Sequence, residues 1–175
     1  MEQQKTLELL TICAEYCAFV EKEEHESVAH FIDKSHKILT LLYLKTSMMQ
    51  SSSVDEGYCE HFVGENDWEF IKQNVQKILG QFDNMVSVSE PDAPENELID
   101  LPISECFADV YQDIRNFIEQ YKDATEQTRE LALYELCFNF RLYWGARILA
   151  VINEFHTVLY AANSPLEDLS ADYTD

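Results

Sequence analysis

The sequence predicts an all-α fold: a single-domain helical bundle of about five main helices, with a long C-terminal helix and no significant sheet. Three observations predict it. Apolar residues recur at helical rather than alternating spacing through most of the 175 residues. Capping residues stand where the periodic stretches begin. The chain holds only 4 Gly and 4 Pro, and of these only Gly145 lies inside a periodic stretch. So little Gly and Pro removes the punctuation that turn-rich β folds and Gly-rich phosphate loops need. A hydrophobic fraction of 46% is enough to build a core.

Helix one runs from about Gln4 to Val20, with Leu7, Leu10, Cys13, Ala14, Cys17 and Ala18 on one face. Helix two spans about Glu24 to Lys45, with its stripe on Val28, Phe31, Ile32, Ser35, Ile38, Leu39 and Leu42. Helix three opens at Asn66, where Glu69 three residues on completes a capping-box pattern, and Gly80 closes it. Helix four covers about Ile103 to Lys122 through Phe107, Val110, Ile114, Phe117 and Ile118. Helix five is capped by Asp123 with Glu126 and extends to Ala162. Such a rod would be about 58 Å long, longer than the roughly 40 Å diameter of a compact domain this size. It must bend, most cheaply near Gly145, or project. Met85-Val86-Ser87-Val88 reads as extended loop, because an isolated strand is marginal.

The balance of 12 Lys+Arg against 33 Asp+Glu gives a formal charge of −21. The acids concentrate in Thr46–Asp67, Gln81–Ser104 and Asn163–Asp175, which contain no Lys or Arg and hold 15 of the 33. One domain over 1–162 is expected, with acidic loops at about 46–66 and 81–102 and an acidic tail at 163–175. No nucleic-acid or membrane partner is expected, since nothing would offset phosphate repulsion and unbroken apolar runs such as Leu41–Leu44 are far below a membrane span. Five scattered cysteines and the absence of a signal-like N-terminus point to a reducing, cytoplasmic setting.

Few residues carry the pattern of a reaction. A carboxylate-bridged dimetal bundle needs Glu-x-x-His on two helices. The nearest match is Asp33-Lys34-Ser35-His36, with Asp33 on the solvated side of its helix. Cys13 and Cys17 read as core thiols, and Cys59-Glu60-His61 lacks a Cys-x-x-Cys companion, so no metal and no cofactor are expected. Neither a Gly-x-Ser-x-Gly elbow nor a GxxxxGK loop is present.

One stretch breaks the helical pattern. Projected at about 100° per residue, Leu131, Tyr134, Phe138, Leu142, Gly145, Ile148, Leu149 and Ile152 form a broad apolar arc. Arg141 falls in its middle beside Trp144, while Arg147 points elsewhere. Asp109 and Asp113 stand one turn apart at the edge of the apolar face of helix four. A guanidinium on a core-facing stripe must be paired, or must end at a pocket or interface. Three readings stay open: an ion pair of Arg141 with Asp113 or Asp109, a ligand pocket around Arg141, Asp109, Asp113, Trp144 and His156, or an interface arginine.

The stretches ADVYQDI and NFRLYWGARIL, the capped Glu65-Asn66-Asp67-Trp68 and the helix end Leu42-Tyr43-Leu44-Lys45 together resemble a bacterial domain-of-unknown-function family, number 5063. The resemblance covers nearly the whole chain and implies a small, all-helical protein, with no catalytic residue to carry over. It also implies a Ser at the start of helix four, where this chain has Pro102, so the cap shifts to Asp100 or Ser104. The functional expectation is a non-enzymatic interaction or structural module. It would self-associate as a homodimer through helix five, where Leu133, Phe140, Val151, Phe155 and Val158 add apolar surface, or bind a basic partner through its acidic loops. The alternative is a bundle that binds a small ligand or metal near Arg141.

Overall fold

The computed structural model describes residues 2–50, 57–90, 94, 97–122, 124–161 and 166. In order these form α1 (Glu2–Val20), α2 (Val28–Ser47), α3 (Glu65–Leu79), a 3-10 turn (Gly80–Phe82), β1 (Met85–Ser89), β2 (Leu98–Pro102), α4 (Ile103–Tyr121), α5 (Glu126–Asn139), a π-helical turn (Phe140–Trp144) and α6 (Gly145–Tyr160). The acidic tail and parts of both acidic loops lie outside the described residues. No helix among the described residues is long and apolar enough to cross a membrane.

Helix α4 is the axis. It packs on α1, α3, α5 and α6, and buries Ile103, Cys106, Phe107, Val110, Ile114 and Phe117. The Phe107 ring meets Tyr16, Phe31 and Phe155, one aromatic from each of α1, α2 and α6. The Tyr16 hydroxyl donates to the Phe107 carbonyl at 2.9 Å, so the one polar atom of that ring is satisfied inside the core. The loose carbonyls after α1 are held from α3: Asn74 Nδ2 donates to Val20 O (2.9 Å) and Lys22 O (2.7 Å).

The helix starts differ from expectation in instructive ways. Ser27 caps α2, accepting from His30 N at 3.1 Å. Helix α3 starts one residue early, at Glu65, and the Asp67 carboxylate accepts from Gly64 N at 3.0 Å, so Asn66 and Glu69 are not the capping pair. Thr125 caps α5 through Thr128 N, in place of Asp123, which lies outside the described residues. Neither Asp100 nor Ser104 caps α4. Pro102 stands at the N-cap, and Asp83 reaches across to accept from Ser104 N (2.7 Å) and Ser104 Oγ (2.8 Å). A cap supplied from 21 residues away carries no local sequence signature.

Met85–Ser89 is a strand, not extended loop. It pairs antiparallel with Leu98–Pro102, Val86 opposite Leu101 and Val88 opposite Ile99. The pair is stable because Val86 and Val88 are buried and β1 packs on α6.

The expected fifth helix is α5, the π-turn and α6, one helical run broken in phase. The Gly145 N–H donates to the Phe140 carbonyl five residues back, the mark of a π-turn. Such a turn takes in one residue more than an α-turn. Ala132 and Leu136 therefore align with Trp144, Ile148, Val151, Phe155 and Val158, all buried. A straight projection is wrong by one residue past Phe140. Gly145 belongs to this geometry, since a Cβ there would stand 2.4 Å from Phe140 O and 3.1 Å from its ring. Gly145→Ala should therefore destabilise the fold by about 1–3 kcal/mol, the usual range for overpacking. An unchanged denaturant midpoint would show that the π-turn relaxes freely.

Candidate functional site

The π-turn decides which arginine is inside. Arg147 is 2% exposed, whereas Arg141 is exposed and makes no ion pair among the described residues. The expected pairing of Arg141 with Asp113 is thus corrected: the buried guanidinium is Arg147, and its partner is Asp109. Arg147 Nε donates to Asp109 Oδ2 at 2.6 Å, Nη2 donates to Glu90 at the end of β1, and Nη1 donates to the Tyr143 carbonyl at 3.4 Å. The guanidinium also lies 3.6 Å over the Tyr143 ring. The other oxygen of Asp109 accepts from Trp68 Nε1 of α3 at 2.9 Å. On the rim, Lys72 lies over Trp68 and pairs with Glu105 at 2.8 Å.

This cluster ties α3, α4, α6 and the hairpin together, and each nitrogen of the Arg147 guanidinium finds an acceptor. Sequence reasoning found Asp109 but missed Arg147, Glu90, Trp68 and Tyr143. A signal existed for Arg147: taken alone, the stripe Trp144, Ile148, Val151, Phe155 places position 147 on its margin.

The remaining predicted site residues do not come together. Trp144 is fully buried, edge-on to Phe140 at 4.8 Å, and belongs to the core. His156 lies on the seam between α2 and α6, against the rings of His36 (6.1 Å) and Tyr160 (5.0 Å). Burial and the neighbouring His156 hold His36 below the usual histidine range.

Asp113 faces a different space. A groove of ≈ 310 Å³ runs between the loop before α3, α4 and the π-turn, lined by His61, Gln112, Asp113, Asn116, Asn139 and Tyr143. Behind it a hole of ≈ 10 Å³, the size of one water, reaches Glu135 and Gln120. The roof is anchored. Asn116 Oδ1 accepts from Phe62 N (2.7 Å) and Val63 N (3.0 Å), and Gln120 Nε2 donates to Glu60 O (3.0 Å). Asp113 Oδ1 accepts from Asn139 Nδ2 at 2.7 Å, and Asp113 makes no ion pair among the described residues. Burial pushes its carboxyl up to about 6, helped by the charges of Glu135 and Asp109 and opposed by Asn139 and His61.

The thiols are all buried, and burial raises Cys13 well above, and Cys17, Cys59 and Cys106 to about 12, away from reactive thiolate. Among the described residues no three His, Cys, Asp or Glu side chains group closely enough to hold a metal ion.

The chain is a single helical domain whose polar centre is a buried ion-pair cluster beside a polar groove. It belongs to the family described as domain of unknown function (DUF5063), which matches residues 1–161. It is similar to the crystal structure of protein BF1032 from Bacteroides fragilis, at 32% identity and a TM-score of 0.77, over 91% of this chain and 95% of that one. No curated protein matches it.

Two measurements check the site. Arg147→Ala leaves Asp109 and Glu90 without their counter-charge and should lower stability by about 3–5 kcal/mol. Arg147→Lys should recover only part, lacking the planar fork. Asp109→Ala combined with Arg147→Ala should cost less than the sum, whereas Arg141→Ala should change stability by less than about 0.5 kcal/mol. Additive effects would dissolve the cluster into independent contacts.

Asp113 gives a pH signature. Its folded pKa, about 6, lies above the unfolded value of about 4, so the folded state holds the proton longer. The contribution is greatest below pH 4 and is lost as pH rises through 6, on the order of 2 kcal/mol after allowance for its partial exposure. Asp113→Asn should remove that slope and melt higher than wild type at pH 8. A melting curve in which the two proteins track each other from pH 4 to 8 would refute this assignment.

Proposed function

We propose that this protein is a non-enzymatic interaction module that self-associates through the outer face of the α5–π–α6 run. The observation that carries the reading is a helix that is apolar on two sides. Its inner side fills the core. On the outer side Phe138, Leu142, Leu149 and Tyr160 are 45%, 48%, 47% and 61% exposed, and Tyr134 stacks on Phe138 at 6.0 Å. Phe138, Leu142 and Leu149 belong to the apolar arc that periodicity detects, of which Gly145 and Ile148 are buried. Of the residues first counted as surplus, Val151, Phe155 and Val158 are buried and Leu133 and Phe140 pack partly against the core, so they contribute no docking surface.

Charge supports a second copy as occupant. Two chains of −21 repel each other wherever their carboxylates face. Between residues 131 and 160 the only acids are Glu135 and Glu154. Glu135 is turned towards Cys59, and Glu154 accepts from Asn84 at 2.8 Å. Among the described residues of this run the outer face therefore presents no carboxylate of its own and carries Arg141 among its aromatics, the composition that dominates binding energy at interfaces. Arg141, the candidate from sequence, has its role here as an interface arginine.

Light scattering at tens of micromolar should report a dimer. Leu142→Glu or Phe138→Glu should yield a monomer with an unchanged melting temperature, because both side chains are half exposed. A wild-type monomer at that concentration would end the proposal.

A further inference from the structure

The groove beside the ion-pair cluster lies apart from the outer helix face, and the reading above does not use it. We infer that this groove, walled by His61, Gln112, Asp113, Asn116, Asn139 and Tyr143, binds a primary alkylammonium group, with Asp113 as its counter-ion and the Gln112 and Asn139 carboxamide oxygens as further acceptors.

Elimination among ligand chemistries leads there. An anion would meet the carboxylates of Asp113 and, just behind, Glu135. A purely apolar ligand would cover the Asp113 carboxylate, the Gln112 amide and the Asn139 carboxamide oxygen without adding a partner for any of them, an unfavourable exchange. The described residues offer no three-ligand metal set. A cation with N–H donors fits every wall. The contrast with Asp109 is the main support. Both acids are on the same helix, one turn apart, but Asp109 has the Arg147 guanidinium while the side chain that donates to Asp113 is the neutral Asn139 amide. A partly buried carboxylate that faces a groove and has no ion-pair partner among the described residues is half of a charge-assisted pair.

Geometry favours ammonium over guanidinium. Asn139 already takes one acceptor position on Asp113 Oδ1, so a guanidinium bridging both oxygens would have to share that oxygen with it. An ammonium needs one carboxylate oxygen, and its other two protons can reach carboxamide oxygens. At ≈ 310 Å³ the groove is at the small end of ligand sites, matched to a short amine. The roof is fixed to α4 by Asn116 and Gln120, so the site is formed before the ligand arrives.

Groups facing Asp113 set the pH dependence: Asp109 on its own helix, Glu135 and Asn139 on α5, and His61 on the roof. Protonation of Asp113 removes the counter-ion, so binding weakens as pH falls below about 6.

Nuclear magnetic resonance titration of the full chain tests this with n-butylamine, 1,4-diaminobutane and Nα-acetyl-lysine methylamide, each at pH 7.5 and constant ionic strength. Saturable shifts confined to His61, Gln112, Asn139 and Tyr143 are expected for all three, with affinity reduced about tenfold or more in Asp113→Asn and severalfold in Gln112→Leu. A tighter fit for the diamine assigns a free amine as occupant; a tighter fit for the lysine derivative assigns a lysine side chain. The assignment fails if tetramethylammonium binds as well as butylamine, if shifts scatter over the acidic surface, or if Asp113→Asn and Gln112→Leu both bind like wild type.

Discussion

Arg147 is the constraint around which the rest is arranged. A guanidinium 2% exposed must have its donors met, and the fold brings an acceptor from each direction: Asp109 from α4, Glu90 from the hairpin, a carbonyl from the π-turn. Asp109 then needs its second oxygen satisfied, which draws in Trp68 of α3. Four elements are placed by one charge. The net stabilisation of such a cluster over an apolar core is small or of either sign. Its effect is on uniqueness: a one-residue slip of α6 would leave the buried Asp109 and the half-buried Glu90 without their cation.

Much of the architecture is readable because core burial repeats every turn. The stripes of α2, α3 and α4 are visible in Phe31, Ile38 and Leu42, in Ile71, Val75 and Leu79, and in Phe107, Ile114 and Phe117, and each is buried. What escapes is whatever depends on a distant partner. The Asp83 cap on α4 and the pairing of Val86 and Val88 with a strand across an acidic loop are tertiary facts. The arginine error has another origin. Periodicity assumes a constant rise and twist, and the π-turn breaks that assumption over five residues. Arg141 and Arg147 exchange places through that one local change. Asp109 and Asp113 are legible because α4 is regular throughout.

The two acids show how a shared helix can hold opposite electrostatic states. Asp109 is neutralised from within. Asp113, one turn on, sits where burial and two other carboxylates oppose its charge. Loss of stability at such a position is tolerable where the group meets something from outside, a pattern common to binding sites.

The π-turn also bears on how chain length varies within the family. An extra residue inside an ordinary α-helix rotates everything beyond it by about 100° and turns a core stripe towards water. Here the extra residue is already absorbed between Asn139 and Gly145. A relative shorter by one residue in this stretch would close the turn into plain α-helix and leave Ala132, Leu136, Ile148 and Val151 in the same alignment. The same deletion three turns away, inside α6, would pull Phe155 and Val158 off the core. A one-residue deletion would thus be absorbed at one place in the helix and would disrupt the core beyond it.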